Sequence, residues 1–455
     1  MAHRTGAQRL GIDIGGTFTD LVFLSADGTV LTAKVLSTPD DYSRGIAEGL
    51  GAVFSGGAAQ AGAVEQVVHG TTVATNAILE GRGARVGLLT TEGFRDVLEI
   101  RRLRMPVLYD IRWQKPTPLV PRDRRLEVAE RIDAEGTVER PLDEAAATAA
   151  IDRLLADGVD AIAICLLNAY ANGAHEERLA ALVAARAPGL PTCVSSQLLP
   201  EIKEYERSST TVVNAYVMPV VGRNHRSLTA GLRSLGVGAP LRIMQSSGGA
   251  MGVEAACARP IHIIESGPAA GVVGAAELSR RLGGRPLIAF DMGGTTAKAA
   301  LVSEGRFDRV GALEVGGGIN IAGRLLTGGG YHVRAPAIDI AEVGAGGGSL
   351  VRIDAGGGLT VGPESAGADP GPACYGRGGT RPTVTDANVV LGFVNPGHLA
   401  GGGIPLDRER AVRAIRDTVA GPLGLSVEDA AWGVHRVANA AMARALRAVS
   451  TERGR

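Results

Sequence analysis

The apolar run over residues 10–14 reads as a buried strand, and a Gly15-Gly16 turn leads from it into a second strand over 18–24. Asp27-Gly28 signals a hairpin into a third strand over 30–35, so the chain opens with a predicted three-stranded meander. Helical spacing follows over 45–54, then a short strand over 64–69, a helix over 72–80 after the Gly70-Thr71 turn, and a strand over 86–90. Between 101 and 125 the periodicity fails and four prolines intervene, which predicts an exposed excursion. An alanine-rich helix to 156, an apolar strand over 161–167 and a helix over 175–186 complete the first half, and 188–200 reads as a link. The second half opens with a helix over 203–217 and a strand over 241–245 that ends in Ser246-Ser247-Gly248-Gly249. Another helix is expected near Pro268, with Ser266 as its cap, and a buried strand over 287–290 ends at Asp291. Residues 324–379 are dense in glycine and weakly periodic, which fits loops around a site or a flexible surface insertion; the last element is a long helix over 430–450.

Composition narrows the class. The 455 residues suit two to four domains at roughly 100–200 residues each, and 45% hydrophobic residues are enough to give each a core. Lys+Arg and Asp+Glu balance at 47 each, so no electrostatic pull toward nucleic acid or an anionic membrane is built in, and neither is expected as a partner. Glycine, with 65 residues, is about twice its usual ~7% share and lacks a G-X-Y period; it must serve turns and close backbone approaches. Cys165, Cys193, Cys257 and Cys374 are scattered without C-x-x-C spacing, which argues against a zinc site or a disulfide framework and for a reducing, cytoplasmic setting. No apolar signal region opens the chain, and its longest uncharged apolar stretch, 161–174, is shorter than the ~20 residues that span a bilayer. Only four of the basic residues are lysines, Lys34, Lys115, Lys203 and Lys298, and each merits attention.

One internal repeat stands out. Gly11-Ile12-Asp13-Ile14-Gly15-Gly16-Thr17-Phe18-Thr19-Asp20 is matched by Ala289-Phe290-Asp291-Met292-Gly293-Gly294-Thr295-Thr296-Ala297-Lys298. In both copies a strand delivers an Asp, a Gly-Gly pair turns the chain, a Thr follows, and an apolar strand leaves toward a second hairpin signal, Asp27-Gly28 or Glu304-Gly305. Phosphate oxygens need converging backbone N–H groups, and a glycine turn lets the backbone come that close. The hydroxyls of Thr17, Thr19, Thr295 and Thr296 can donate to the same oxygens. An Asp repels phosphate, so Asp13 and Asp291 point instead to Mg²⁺, held through water, or to an attacking water between them and a nucleotide. A single D-x-G-G-T is ordinarily a strand-turn-strand with an Asx turn; the duplication is what points to nucleotide. The sequence has no P-loop, and both glycine pairs lead into strands, unlike a Rossmann fingerprint.

These paired hairpins resemble the actin/Hsp70/sugar-kinase nucleotide fold. More specifically, the chain is similar to the hydantoinase A/5-oxoprolinase family, which includes N-methylhydantoinase and acetone carboxylase subunits. The likeness is carried by the two hairpins together with His69-Gly70-Thr71-Thr72-Val73-Ala74-Thr75-Asn76, Glu204-Tyr205-Glu206-Arg207, Ser246-Ser247-Gly248-Gly249, Ser266-Gly267-Pro268-Ala269-Ala270-Gly271, Gly344-Ala345-Gly346-Gly347-Gly348-Ser349 and Asp369-Pro370-Gly371-Pro372-Ala373-Cys374-Tyr375-Gly376. It implies an α/β fold of duplicated, RNase H-like ATPase lobes with a nucleotide cleft between them: an N-terminal lobe over 9–187, a linker over 188–202 and a second lobe over 203–455. Family chains continue past a helix like 430–450, so the second lobe is expected to be incomplete here.

The resemblance further implies ATP-dependent phosphorylation of a cyclic amide of the hydantoin or 5-oxoproline type, whose ring water then opens. ATP and Mg²⁺ are the expected cofactors. A hydantoinase B-type subunit, absent from this chain, is the expected partner in a hetero-oligomer. Gly15, Gly16, Thr17, Gly293, Gly294 and Thr295 would hold phosphates, Asp13 and Asp291 would position Mg²⁺ and the attacking oxygen, and Lys298 would neutralise charge on the transferred group unless it simply faces solvent. His69, Thr71 and Thr72, at a strand-to-helix turn, are expected to touch substrate or the γ-phosphate, or else to cap the turn. The 344–349 loop reads as a second anion cradle or a flexible lid, and Tyr205 and Arg207 as interdomain or subunit contacts. Alternatives on the same fold are an ATP-dependent carboxylase subunit, a stand-alone small-molecule kinase and a nucleotide-binding module without turnover.

Overall fold

The structure, a computed structural model, describes residues 8–38, 42–55, 60–105, 109–316, 329–397, 399 and 405–455. The opening meander forms as β1 (Gln8–Ile14), β2 (Phe18–Leu24) and β3 (Val30–Leu36), paired antiparallel in sequence order. Helix α1 (Tyr42–Ser55) returns the chain to β4 (Val64–Thr71), which runs parallel to β1, and α2 (Val73–Leu79) leaves from its end. Leu10, Ile12, Ile14, Leu21 and Phe23 point into one core, as period-two alternation requires. A second, parallel sheet is built from β5 (Val86–Thr91), β6 (Arg125–Val128), β7 (Ala161–Cys165) and β8 (Thr192–Val194).

Between the two sheets runs α3 (Glu204–Ser234), whose Val212, Val213, Ala215 and Val217 share a core with Ile12 of β1 and with Ala161 and Ala163 of β7. It extends well beyond the expected 203–217 and carries Pro219 in its interior. Arg207, fully buried, donates from Nη1 to Ser195 Oγ at 3.0 Å and from Nη2 to the Leu166 carbonyl at 2.6 Å, fastening α3 to the second sheet. The first sheet also draws strands from beyond the expected link at 188–202. Strands β9 (Leu241–Met244) and β10 (Ala250–Gly252) continue the first sheet, because parallel pairing of β9 with β4 buries Ile243 completely.

The second lobe centres on a hairpin of β11 (Leu287–Met292) and β12 (Ala297–Ser303), with β13 (Ala341–Val343) on the far edge of β12. Alternation along β12 sends Ala300 and Val302 against α4 (Ser266–Arg281), and Ala297 and Ala299 against the long α6 (Val427–Val449) that follows α5 (Val384–Val390). Ser266 does not cap α4. Its hydroxyl accepts the Thr71 N–H at 2.9 Å and donates to the Thr71 carbonyl at 3.0 Å, tying the helix to the end of β4. The stretch over 324–379 is more regular than its glycine content suggests: Tyr331–Val333, Ala337–Ile338, β13, Ser349–Ile353 and Leu359–Ser365 are strands, and residues 324–328 lie outside the described residues. Among the described residues no helix is long and apolar enough to cross a membrane.

Candidate functional site

The alternation that buries Ile12 and Ile14 turns Asp13 to the opposite face of β1, at the strand's last turn of exposed surface. The second copy repeats the first in register: Asp13 lies across from Asp20, and Asp291 lies across from Lys298. Both turns close with the same bond, Gly15 N–H to the Phe18 carbonyl and Gly293 N–H to the Thr296 carbonyl, each 2.9 Å. Those bonds use the first glycine of each pair, and among the described residues the N–H groups of Gly16, Thr17, Gly294 and Thr295 make no backbone bond.

The two hairpins meet. A Cβ on Gly294 would lie 2.3 Å from Thr17 Oγ1, so only glycine permits this approach of one lobe to the other. Between them opens a cleft of about 420 Å³, lined by Asp13, Gly15, Gly16 and Thr17 from the first hairpin and by Asp291, Gly293, Gly294, Thr295, Thr296 and Lys298 from the second, with Thr72 beside them. Asp13 rests on two glycines of other segments: a Cβ would come 3.0 Å from its Oδ1 at Gly70 and 2.8 Å at Gly267.

The cleft walls limit the hydration of Asp13, and Asp20 and Asp291 add like charge. Its pKa rises from 3.8 to about 6, although Lys34 and Lys298 pull the other way. Between pH about 4 and about 6 the folded chain therefore keeps a proton that the unfolded chain has released, so raising the pH through that window costs stability. Asp13→Asn is expected to raise the thermal midpoint of the nucleotide-free protein at pH 7 and to change it little at pH 4. A midpoint lowered at pH 7 would contradict this electrostatic strain.

Lys298 projects from the α4 face of β12, and its Nζ donates to Thr296 Oγ1 at 2.9 Å. It lies 3.0 Å from Glu265 Oε2 and 3.3 Å from Glu342 Oε1. Burial alone would lower its pKa, but the two carboxylates outweigh it and hold the ammonium above its ordinary range. In the first copy the matching position, Asp20, is held by Lys34 Nζ at 2.6 Å. From the 344–349 loop Gly347 and Gly348 line the cleft, and their N–H groups brace the second turn: Gly347 N–H donates to the Gly293 carbonyl at 3.0 Å and Gly348 N–H to the Gly294 carbonyl at 2.6 Å. A Cβ on Gly346 would meet that turn's backbone at 2.7 Å.

Three expected residues stand behind the cleft rather than in it. Thr19 is fully buried against Ser37 Oγ at 3.1 Å, and Thr71 is fully buried, its Oγ1 accepting the Val73 N–H at 3.1 Å. His69 is fully buried too, with Nδ1 3.2 Å from the Ile12 carbonyl and its ring against His225; burial, then His225, pushes its pKa down to about 3, so it stays neutral. None of these side chains reaches the cleft surface. Sequence reading misses Lys34, Asp20, Asn76, Gly267, Tyr375, Thr385 and Asn388, which the fold brings to the same cleft. Lys34 carried a signal as one of four lysines, and Asp20, Asn76, Gly267 and Tyr375 stand within the repeat and the family motifs without having been assigned to the site.

A model described as Hydantoinase/oxoprolinase N-terminal region matches residues 9–186, and one described as Hydantoinase/oxoprolinase matches 207–455. An uncharacterized protein of Methanocaldococcus jannaschii is 42% identical over 98% of this chain and 65% of its own length. Caprolactamase subunit alpha of Pseudomonas jessenii is 41% identical over 98% of this chain and 63% of its own. The chain thus spans less than two thirds of the curated relatives it matches. A chain of nucleotide-free acetone carboxylase superposes with a TM-score of 0.86 at 29% identity, covering 99% of this chain and 64% of that one. The crystal structure of ATP-dependent caprolactamase from Pseudomonas jessenii gives 0.75 at 39% identity, covering 98% and 63%. With a family model matched over more than half its residues and both hairpins on one cleft, the chain belongs to the hydantoinase/oxoprolinase family.

Proposed function

We propose that this chain is the nucleotide-binding part of an enzyme that uses ATP to phosphorylate the carbonyl oxygen of a cyclic amide. The observation that carries this reading is the meeting of Thr17 and Gly294, which puts Asp13 and Asp291 on one cleft. The N–H groups of Gly16, Thr17, Gly294 and Thr295, with the Thr17, Thr295 and Thr296 hydroxyls, would receive the phosphate oxygens. Asp13 and Asp291 fit a magnesium ion held through its water. Among the described residues no cluster of three or more His, Cys, Asp or Glu offers an all-protein cage, and Mg²⁺ commonly uses one or two carboxylates plus phosphates. Such a cation would relieve the like charge of Asp20 and Asp291, which adds to burial in raising the Asp13 pKa. Bound there, Mg²⁺ would screen the phosphates and the charge that develops on the transferred group.

In the reaction the amide oxygen attacks the terminal phosphorus, the bond to the ADP oxygen breaks, and the resulting phosphorylated amide carries a good leaving group on carbon. Water then adds at that carbon, the ring nitrogen takes up a proton and leaves so that the ring opens to an acyl phosphate, and a second water cleaves that acyl phosphate to a carboxylate and free phosphate. Lys298, facing the cleft beside Thr296, is placed to steady negative charge on the moving phosphoryl group. The hydrolytic half is assigned to a hydantoinase B-type partner in a hetero-oligomer, a reading supported by relatives that are themselves named as subunits, caprolactamase subunit alpha among them. Similarity to acetone carboxylase supports a second reading, in which a phosphorylated ketone is carboxylated.

Phosphate release by the chain with its companion subunit is expected to rise at least ~10-fold when ε-caprolactam is added, a change of one decade in rate. A rise with a hydroxy acid or sugar instead would favour a kinase, and no rise with any carbonyl compound would favour a module without turnover.

A further inference from the structure

A second cavity, also of about 420 Å³, lies behind the cleft, and Lys298 lines both. Leu79, Ile264, Leu313, Val315, Ile338 and Ile340 form its apolar body. Its polar end is Lys298 with Glu265 and Glu342. Thr296, on the cleft side, takes the Lys298 hydrogen bond, while the two carboxylates face the cavity, so the ammonium stands between the phosphate turn and this chamber. Glu265 adopts a left-handed backbone at φ 61°, uncommon for a residue with a side chain and kept only where the surroundings dictate it. Its buried Oε2 is ion-paired with Lys298 yet receives no well-directed hydrogen bond.

The charge around the chamber is unbalanced. Glu314, another buried carboxylate of the lining, accepts the Gly330 N–H, and the rim guanidinium of Arg334 is committed to Glu201. Among the described residues, two carboxylates, Glu265 and Glu342, thus face the one ammonium of Lys298 at the polar end, a field that repels an anion from a low-dielectric cavity. A neutral amide suits it: the carbonyl oxygen can accept from Lys298, the N–H can donate to Glu265 or Glu342, and hydrocarbon fills the apolar body. The same pose sets the carbonyl oxygen beside the residue shared with the phosphate cleft.

We propose that this chamber holds the phosphoryl acceptor, an uncharged lactam or ketone with an apolar body, and discriminates against carboxylate-bearing rings such as 5-oxoproline. The assignment rests on reading the adjoining cleft as the nucleotide site. The test is titration of the chain, loaded with Mg²⁺ and a non-hydrolysable ATP analogue, with ε-caprolactam and with 5-oxoproline, followed by saturation-transfer NMR. ε-Caprolactam is expected to bind at least ~10-fold more tightly than 5-oxoproline, and Glu342→Gln to narrow that gap. Ala312→Trp, which fills the chamber, is expected to weaken ε-caprolactam at least ~10-fold while leaving nucleotide affinity within ~2-fold; Val310→Phe serves if the tryptophan variant does not fold. Lactam affinity unmoved by the filling variant, 5-oxoproline binding as tightly as ε-caprolactam, or no saturable lactam binding would overturn the proposal. If the analogue itself fails to bind, the nucleotide reading falls, and the same lactam titrations on the nucleotide-free chain decide the chamber separately.

Discussion

Alanine at either Asp13 or Asp291 is expected to lower ATP hydrolysis at least ~10²-fold, the scale of losing a preorganised contact in the transition state. The two carboxylates come from different lobes but line one cleft, and Asp291 is among the charges that raise the Asp13 pKa. If they grip one metal-bound triphosphate, removing either already releases it, and the double variant should be little worse than each single one. Separate roles would instead multiply, giving losses near ~10⁴-fold in the double variant. Phosphate-release assays of the three variants decide between these outcomes, and a single variant keeping near wild-type turnover would remove that carboxylate from the mechanism.

Asp386→Ala is expected to destabilise the second lobe by about 3 kcal/mol or more, because a buried carboxylate with several charge-assisted hydrogen bonds is lost and its donors are stranded. The Asp386 carboxylate, fully buried, accepts from Ala373 N–H at 3.2 Å, Cys374 N–H at 2.7 Å, Thr383 N–H at 2.8 Å and Thr383 Oγ1 at 2.8 Å. With the N-cap Thr383 it forms the capping box of α5, whose Val384, Ala387 and Val390 pack with Ala299 of β12 and Val434 of α6. The effect should also reach the cleft. Thr385, next in the helix, donates N–H and Oγ1 to the Gly347 carbonyl at 2.8 and 2.9 Å, and Gly347 N–H holds the Gly293 turn. Urea denaturation should show the loss of stability, with Asp386→Asn losing less, and nucleotide binding should weaken in parallel. A fully stable alanine variant would show that the four donors find other partners.

The hairpins were legible in the sequence because everything that makes them is local: a period-two strand, a Gly-Gly turn and a second strand, written twice. What surrounds them was not. Gly70 and Gly267 seat Asp13, Glu265 and Glu342 hold Lys298, and Gly346 to Gly348 brace the second turn, all through contacts between segments far apart in the chain. Alternation says which face a side chain takes but not which strand arrives beside it; hence β9 and β10 joined the first sheet across an expected boundary. His69 and Thr71 looked functional because a strand-to-helix turn exposes N–H groups, yet the Ser266 hydroxyl occupies the Thr71 N–H and the core encloses the imidazole. The short strands within 331–365 escaped notice because glycine interrupts them and their pairing supplies the order.

Calorimetric titration of the chain with Mg²⁺ and a non-hydrolysable ATP analogue bears most directly on whether two lobes share one ligand. One site per chain is expected, with affinity reduced at least ~10-fold both by Asp13→Ala in the first hairpin and by Gly294→Val in the second, whose branches would drive into Thr17. Two independent sites, or an affinity that ignores one of the two hairpins, would contradict it.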